Sequence, residues 1–227
     1  MFGFNKLNAW SSLPGVAACL VLLAACSGGS PVDQIPRSAA QQPQGNEWAA
    51  TGMGPLTEWL FQGVGEIWSG SLYQNIYTVE NRSDEHAIRY YTTRTRGDGR
   101  GNRSITVDVA LADGSPGRAG LVFGLDRDRN TYHLFVRESD GAFTAYRRHE
   151  SGIDHLASVV LPNNGQLFHR LEAREEGDSV QLWANGERVA TITRQGLTQG
   201  ELGIIAFGMG QFGYSNYAEL EDNGWRG

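Results

Sequence analysis

A chain of 227 residues with 25 acidic and 19 basic side chains carries a formal net charge of −6, a balance that argues against generic nucleic-acid binding. Lys6 is the sole lysine, and Cys19 and Cys26 are the sole cysteines, so no disulfide framework can hold a domain lying downstream of both. The stability of such a domain has to come from a hydrophobic core, and the chain beyond residue 46 is long enough to build one of good size.

The first segment is not part of the fold. Lys6 supplies a positive region, and Val16–Ala25 is an apolar run too short to cross a bilayer comfortably as a helix. It ends in Leu23-Ala24-Ala25-Cys26, which resembles the lipobox of bacterial lipoprotein precursors. That resemblance implies a signal peptide over residues 1–25, cleavage before Cys26, and a thioether-linked diacylglycerol with palmitate-type acyl chains at Cys26. Ser27 follows the cysteine, which by resemblance to enteric lipoproteins implies sorting to the outer membrane. From Ser27 to about Asn46 the chain holds Gly-Gly, three prolines and Gln-Gln-Pro-Gln, the composition of a flexible tether. Twenty such residues reach about 25 Å. Residues 26–46 are therefore expected to be a tether and residues 47–227 a single domain.

From Glu47 onward the composition changes, with Trp48, Trp59, Phe61, Ile67 and Trp68 among glycines. Thr57–Phe61 fits either a short helical turn or an edge strand. Leu72–Val79 and His86–Thr95 read as strands around the turn cluster Glu-Asn-Arg-Ser-Asp-Glu. The loop from Arg96 to Asn102 leads into Ser104–Ala112, which alternates through Ile105, Val107, Val109 and Leu111. Arg118–Leu125, Thr131–Arg137 and Ala142–Arg148 predict three strands in succession, joined by the charged turn Asp126–Asn130 and by Ser-Asp-Gly. Period two groups Leu121, Phe123 and Leu125 with Tyr132, Leu134 and Val136 as core-facing positions. Ile153–Leu161, Leu167–Glu175, Ser179–Ala184, Arg188–Thr193 and Glu201–Phe207 follow at short intervals. Asn185-Gly186 is the strongest hairpin signal, since both residues tolerate the positive φ of a type I′ turn. Gln211–Leu220 is expected to return as an edge or central strand. With about a dozen strands and no sustained helical period, the reading is all-β with little helix: a jelly-roll β-sandwich of two antiparallel sheets.

Four pieces carry a resemblance: Ala119–Phe123, Tyr132–Val136, Asp178–Gly186 and Gly200–Phe207. Together they are similar to the concanavalin A-like lectin/glucanase superfamily, and within it to laminin-G-like and keto-disaccharide-hydrolase-like modules of bacterial lipoproteins. The likeness runs from about Ile105 to Leu220 and implies fold more than function, because such modules include lectins, adhesins and glycosidases. Where the family often closes with Phe-Asp-Asn/Asp-Val, this chain has Phe212-Gly-Tyr-Ser-Asn-Tyr217, without the acidic residue that helps hold calcium.

A retaining glucanase needs two carboxylates about 5–5.5 Å apart, usually as Glu-x-Asp-x-x-Glu on one strand, and that motif is absent. Asp126 with Asp128, Glu138 with Asp140, and Glu219 with Glu221 are the nearest pairs, all at or beside turns or near the end of the chain. No catalytic residue is assigned. Asp126-x-Asp128-x-Asn130 also resembles the opening of a calcium loop, although Thr131 and Arg137 stand where an EF-hand needs Gly and Glu. Strand-face counting leaves Gln181 and Trp183 opposite Val180, Leu182 and Ala184. It leaves His133, Phe135 and Arg137 opposite Leu134, and adds Tyr146 and Tyr91 from neighbouring strands. Aromatic, guanidinium and amide groups on one outer face would suit a glycan platform, because rings stack on the apolar faces of sugars. The expected function is a lipid-anchored, non-catalytic module of the bacterial cell envelope that binds a saccharide or an envelope component. A glycoside hydrolase with unrecognised carboxylates, and a protein-interaction lipoprotein of the assembly or immunity type, are the alternatives.

Overall fold

The structure is a computed structural model that describes residues 52–93, 102–162, 164–193 and 200–222. The signal-like segment, Cys26, the tether and positions 96–101 lie outside the described residues. A 3-10 helix, Gly54–Trp59, begins the described chain and holds Pro55 in its first turn, where the missing N–H has no helical partner to lose. It settles the ambiguity over Thr57–Phe61 as a helical turn, and Leu56 on it is fully buried.

Fourteen strands follow among the described residues. The first five are β1 (Gly63–Val64), β2 (Trp68–Tyr73), β3 (Ile76–Asn81), β4 (Ile88–Thr93) and β5 (Asn102–Leu111). Next come β6 (Arg118–Asp126), β7 (Thr131–Arg137), β8 (Ala142–His149), β9 (Gly152–Val160) and β10 (His169–Glu176). The last are β11 (Ser179–Ala184), β12 (Glu187–Thr193), β13 (Glu201–Phe207) and β14 (Gly210–Asp222). They form an eight-stranded sheet in the order β1-β2-β3-β14-β5-β10-β11-β12 and a six-stranded sheet in the order β4-β13-β6-β7-β8-β9. Every strand pair is antiparallel, so the molecule is the jelly-roll β-sandwich its turn spacing predicts.

Two turns show how locally that spacing is written. Asn185 and Gly186 have φ of 53° and 83°, as a type I′ hairpin demands, and they join β11 to β12. The predicted single strand Leu72–Val79 is instead the β2–β3 hairpin. Its turn residues Gln74 and Asn75 both adopt positive φ, 46° and 64°, a pair whose side chains do not announce a turn as Asn-Gly does.

The core lies between the layers. Ile105, Val107 and Val109 of β5, Leu171 of β10, Leu182 of β11, and Phe212 and Tyr214 of β14 meet Leu121, Phe123, Phe135, Phe143 and Ile204 from the six-stranded sheet. Tyr77, Tyr91 and Tyr214 pack ring on ring, with centroids 5.3 and 6.4 Å apart. Two of their hydroxyls are satisfied on main-chain carbonyls: Tyr77 donates to Phe61 at 2.9 Å and Tyr214 to Ile205 at 2.7 Å. Burying such groups without partners would be costly.

The facing of β7 is the reverse of the sequence expectation. Phe135 pairs with Leu121 and His133 with Phe123, so these residues point into the sandwich. Tyr132, Leu134 and Val136 point outward and form a second apolar cluster with Val122, Leu125 and Ile205. Leu125 leaves the Leu121–Phe123 face because the ladder shifts between Phe123 and Asp126, around Gly124 at φ 62°. Five successive buried residues, Tyr132–Val136, explain why alternation could not choose a side: both faces of this central strand are covered.

Candidate functional site

The residues singled out from sequence fall on three separate surfaces. Trp183 and Gln181 stand on the outer face of the eight-stranded sheet, opposite the buried Val180, Leu182 and Ala184 as expected. There the Arg174 guanidinium lies 5.9 Å above the Trp183 ring. Phe135 and Tyr91, 0 % and 5 % exposed, belong to the inter-sheet core, and so no sugar can stack on either. His133 is also buried inward, stacked 5.6 Å from Phe123 at an interplanar angle of 12°. Burial, with Arg147 adding to it, pulls its pKa down to about 4, so it is neutral near pH 7. Arg137 points inward at the end of β7. Tyr146 alone of the set lies on the outer face of the six-stranded sheet, because its register partner is Leu134. The single platform expected from alternation is therefore divided, since β7 presents its polar-and-aromatic set to the interior.

The outer face of the six-stranded sheet holds a different constellation. Its floor is the buried cluster Val122, Leu134, Val136 and Ile205, against which Tyr90 and Tyr146 pack half-buried. At one end Arg118 lies 5.0 Å from the Phe207 ring centroid and 5.5 Å from that of Tyr146. Its Nε sits 3.2 Å from Glu138 Oε2, and its Nη1 donates to the Tyr146 hydroxyl at 3.1 Å. Burial, and the hydrogen bond to Glu138 after it, raises the Tyr146 pKa. At the other end Arg127 donates from Nε to Glu201 at 2.9 Å and from Nη2 to Thr92 Oγ1 at 2.8 Å, with its guanidinium 5.2 Å above Tyr90. Thr92 Oγ1 in turn donates to Glu201 at 2.6 Å. The hydrogen bond to Glu201 raises the Arg127 pKa. The six residue steps of β13 from Glu201 to Phe207 place the two arginine clusters about 20 Å apart. Between them runs an apolar strip edged with tyrosines.

Next to the Arg118 end, a cleft of about 300 Å³ opens between the β5–β6 turn and the β7–β8 turn. Asp113, Ser115, Pro116, Arg137, Glu138 and Ser139 line it. Glu138 thus belongs both to the cleft and to the outer-face cluster. The Arg137 Nε is buried and donates to no hydrogen-bond partner among the described residues, and burial lowers the pKa of its guanidinium while Asp113 opposes the shift. The neighbouring His169 is held near pKa 4, mainly by burial and then by Arg137. Its Nδ1 accepts from Asn185 Nδ2 at 2.9 Å.

The carboxylates flagged as possible chemistry are occupied locally. Asp126 Oδ1 accepts the main-chain N–H groups of Asp128 and Arg129 at 3.0 and 3.2 Å, closing the turn in which Asn130 takes φ 51°. Among the described residues no three His, Cys, Asp or Glu side chains gather as a metal cluster. Asp140 accepts from the Ala142 N–H. Glu219 accepts from Thr93 at 2.7 Å and from Tyr217 at 2.5 Å, with Arg103 at 3.9 Å.

No protein-family model matches the chain, and no curated protein matches its sequence. Solved structures do share its architecture. A carbohydrate-binding module, CBM66, from Bacillus subtilis superposes with a TM-score of 0.55 at 14 % identity, covering 70 % of this chain and 99 % of that one. A Bacillus subtilis protein of unknown function with a galectin-like fold gives 0.54 at 16 % identity, covering 78 % and 97 %. The Bacillus licheniformis beta-glucanase gives 0.51 at 10 % identity, covering 66 % and 80 %. Identities this low establish the fold alone: a jelly roll of the concanavalin A-like kind.

Sequence reading missed Arg118, Glu138, Phe207, Arg127, Glu201 and Tyr90 as a constellation. They come from β6, the β7–β8 turn, β13, the β6–β7 turn and β4, and only the strand order β4-β13-β6-β7-β8 brings them together.

Proposed function

We propose that this domain is a saccharide-binding module, non-catalytic and held at the bacterial cell envelope by a lipid on Cys26. The observation that carries the binding reading is the cluster at one end of the outer face, where Arg118 lies between the Phe207 and Tyr146 rings and forms an ion pair with Glu138. Rings offer apolar faces to a pyranose, and the guanidinium and carboxylate offer donors and acceptors to its hydroxyls. A fold shared with a solved carbohydrate-binding module supports that reading.

The spacing of the acids on this face favours binding over hydrolysis by them. Glu138 is held by Arg118 beside Phe207 at one end of β13 and Glu201 is at the other end, about 20 Å away along the strand, whereas glycosidase pairs sit roughly 5–10 Å apart. The anchor rests on Leu23-Ala24-Ala25-Cys26 and the tether after it.

Two measurements test the proposal. On a panel of cell-wall and capsular polysaccharides, Tyr146→Ala with Arg118→Ala is expected to abolish binding, while Trp183→Ala on the opposite sheet leaves it unchanged. Loss of binding with Trp183→Ala alone would move the site to the eight-stranded sheet. Cys26→Ser is expected to release the protein from the membrane fraction, and unaltered fractionation without lipid labelling of the wild type refutes the anchor.

A further inference from the structure

We propose that the cleft lined by Arg137 is a subsite for a carboxylate-bearing sugar, a uronic acid, at the end of the saccharide face; this rests on the saccharide reading above. The cleft is of the right order for a small ligand group, about 300 Å³, and it abuts the outer face through a shared residue, Glu138.

The charges around it leave one unmet demand. Glu138 is already neutralised, its two oxygens held by Arg118 at 3.2 Å and by the Tyr146 hydroxyl at 2.8 Å. Ser115 Oγ is taken by the Gln211 main chain, accepting its N–H at 3.1 Å. Asp113 is exposed on the turn, where water screens it, and its charge opposes the effect of burial on Arg137. Arg137 is different. It is half-buried, lines the cleft, and its Nε is shut away from water with nothing to donate to among the described residues. A guanidinium that lines a cleft presents a planar fork whose natural complement is a carboxylate. Burial lowers the proton affinity of this guanidinium, and an anion in the cleft would oppose that shift. A neutral sugar would supply no such charge.

The test uses the purified full-length protein, calorimetry, and oligosaccharides of galacturonate, glucuronate, mannuronate and guluronate beside their methyl esters and sulfated neutral analogues. At least one uronate should bind ten-fold or more tightly than its ester, and the preference should weaken as salt rises. Arg137→Gln should reduce uronate affinity to that of the ester. Arg137→Lys, which keeps the charge but loses the fork, should recover only part of it. Asp113→Asn should strengthen uronate binding several-fold. Thermal melts of the variants separate lost recognition from lost fold. Equal affinity for acid and ester, or a preference confined to sulfated ligands, overturns the inference while leaving the saccharide reading intact. Failure to bind any ligand of the panel, neutral or acidic, overturns both.

Discussion

The Tyr146 hydroxyl donates a 2.8 Å hydrogen bond to Glu138 Oε1. The bond crosses from β8 to the turn that follows β7, and it fixes the carboxylate that Arg118 also grips. Tyr146→Phe keeps the ring and removes this bond together with the one the hydroxyl accepts from Arg118. Saccharide affinity is expected to fall about five- to ten-fold, in line with roughly 0.5–1.5 kcal/mol for each hydrogen bond lost. Tyr146→Ala removes the stacking surface as well and should take binding below detection, both measured by calorimetry against the best ligand of the panel.

The opposite cluster is expected to act on stability first. Glu201 is buried and ties Arg127 to Thr92, which staples the edge strand β4 to β13 and to the β6–β7 turn. Glu201→Gln preserves shape and removes the charge. It should cost about 1.5–3 kcal/mol, the range for hydrogen bonds to charged groups, read from urea unfolding. Amide exchange over Ile88–Thr93 should accelerate more than exchange in β7, because the loss is local to that edge.

The two buried histidines predict an acid-sensitive fold. His133 and His169 are each depressed from 6.5 to about 4 by burial, with Arg147 and Arg137 respectively as the next cause. Between those values the unfolded chain holds more protons than the folded one, so stability rises with pH across the window. It is fully present above about pH 6.5 and is lost as the pH falls toward 4. Each unit is worth about 1.4 kcal/mol per histidine. His133→Gln should flatten the slope between pH 6.5 and 4 measured by denaturant unfolding, and a slope unaltered in the double variant with His169→Gln would assign the effect elsewhere.

Close approach of strands is expected to make Gly203 irreplaceable. A Cβ there would lie 1.9 Å from the Tyr91 carbonyl oxygen, a main-chain atom that cannot step aside. Gly203→Ala should destabilise by about 3 kcal/mol or more. Gly141, at φ 88° with open space around it, supplies the comparison: Gly141→Ala should cost only the left-handed strain of about 1–2 kcal/mol. Thermal unfolding of the two variants separates the causes.

The sandwich was legible because turn chemistry is local. Asn185-Gly186 specifies its hairpin whatever lies beyond it, and the alternation of Ile105, Val107 and Val109 survives any arrangement of partners. The candidate binding face was not legible, for a physical reason visible in β7. Tyr132-His-Leu-Phe-Val136 is apolar on both phases, and the choice between them is made by Leu121, Val122 and the ladder shift at Gly124 on β6. Alternation placed Tyr146 correctly only in relation to its own strand. Gln74-Asn75 concealed a hairpin because Gln seldom takes positive φ, and there the pull of flanking strands outweighs the residue's own preference. Arg137 was visible as a polar residue on a strand, but its lack of a partner is a property of the folded cleft.

The Gly52 carbonyl accepts from the Tyr217 N–H at 3.1 Å, which fastens the start of the described chain to β14, the strand with which the described chain also ends. Both ends of the described chain are therefore bonded into the eight-stranded sheet, while Tyr90, Tyr146 and Phe207 look out from the other layer. Changes of length before residue 52 or after residue 222 are then expected to leave the cluster of Arg118, Tyr146 and Phe207 intact.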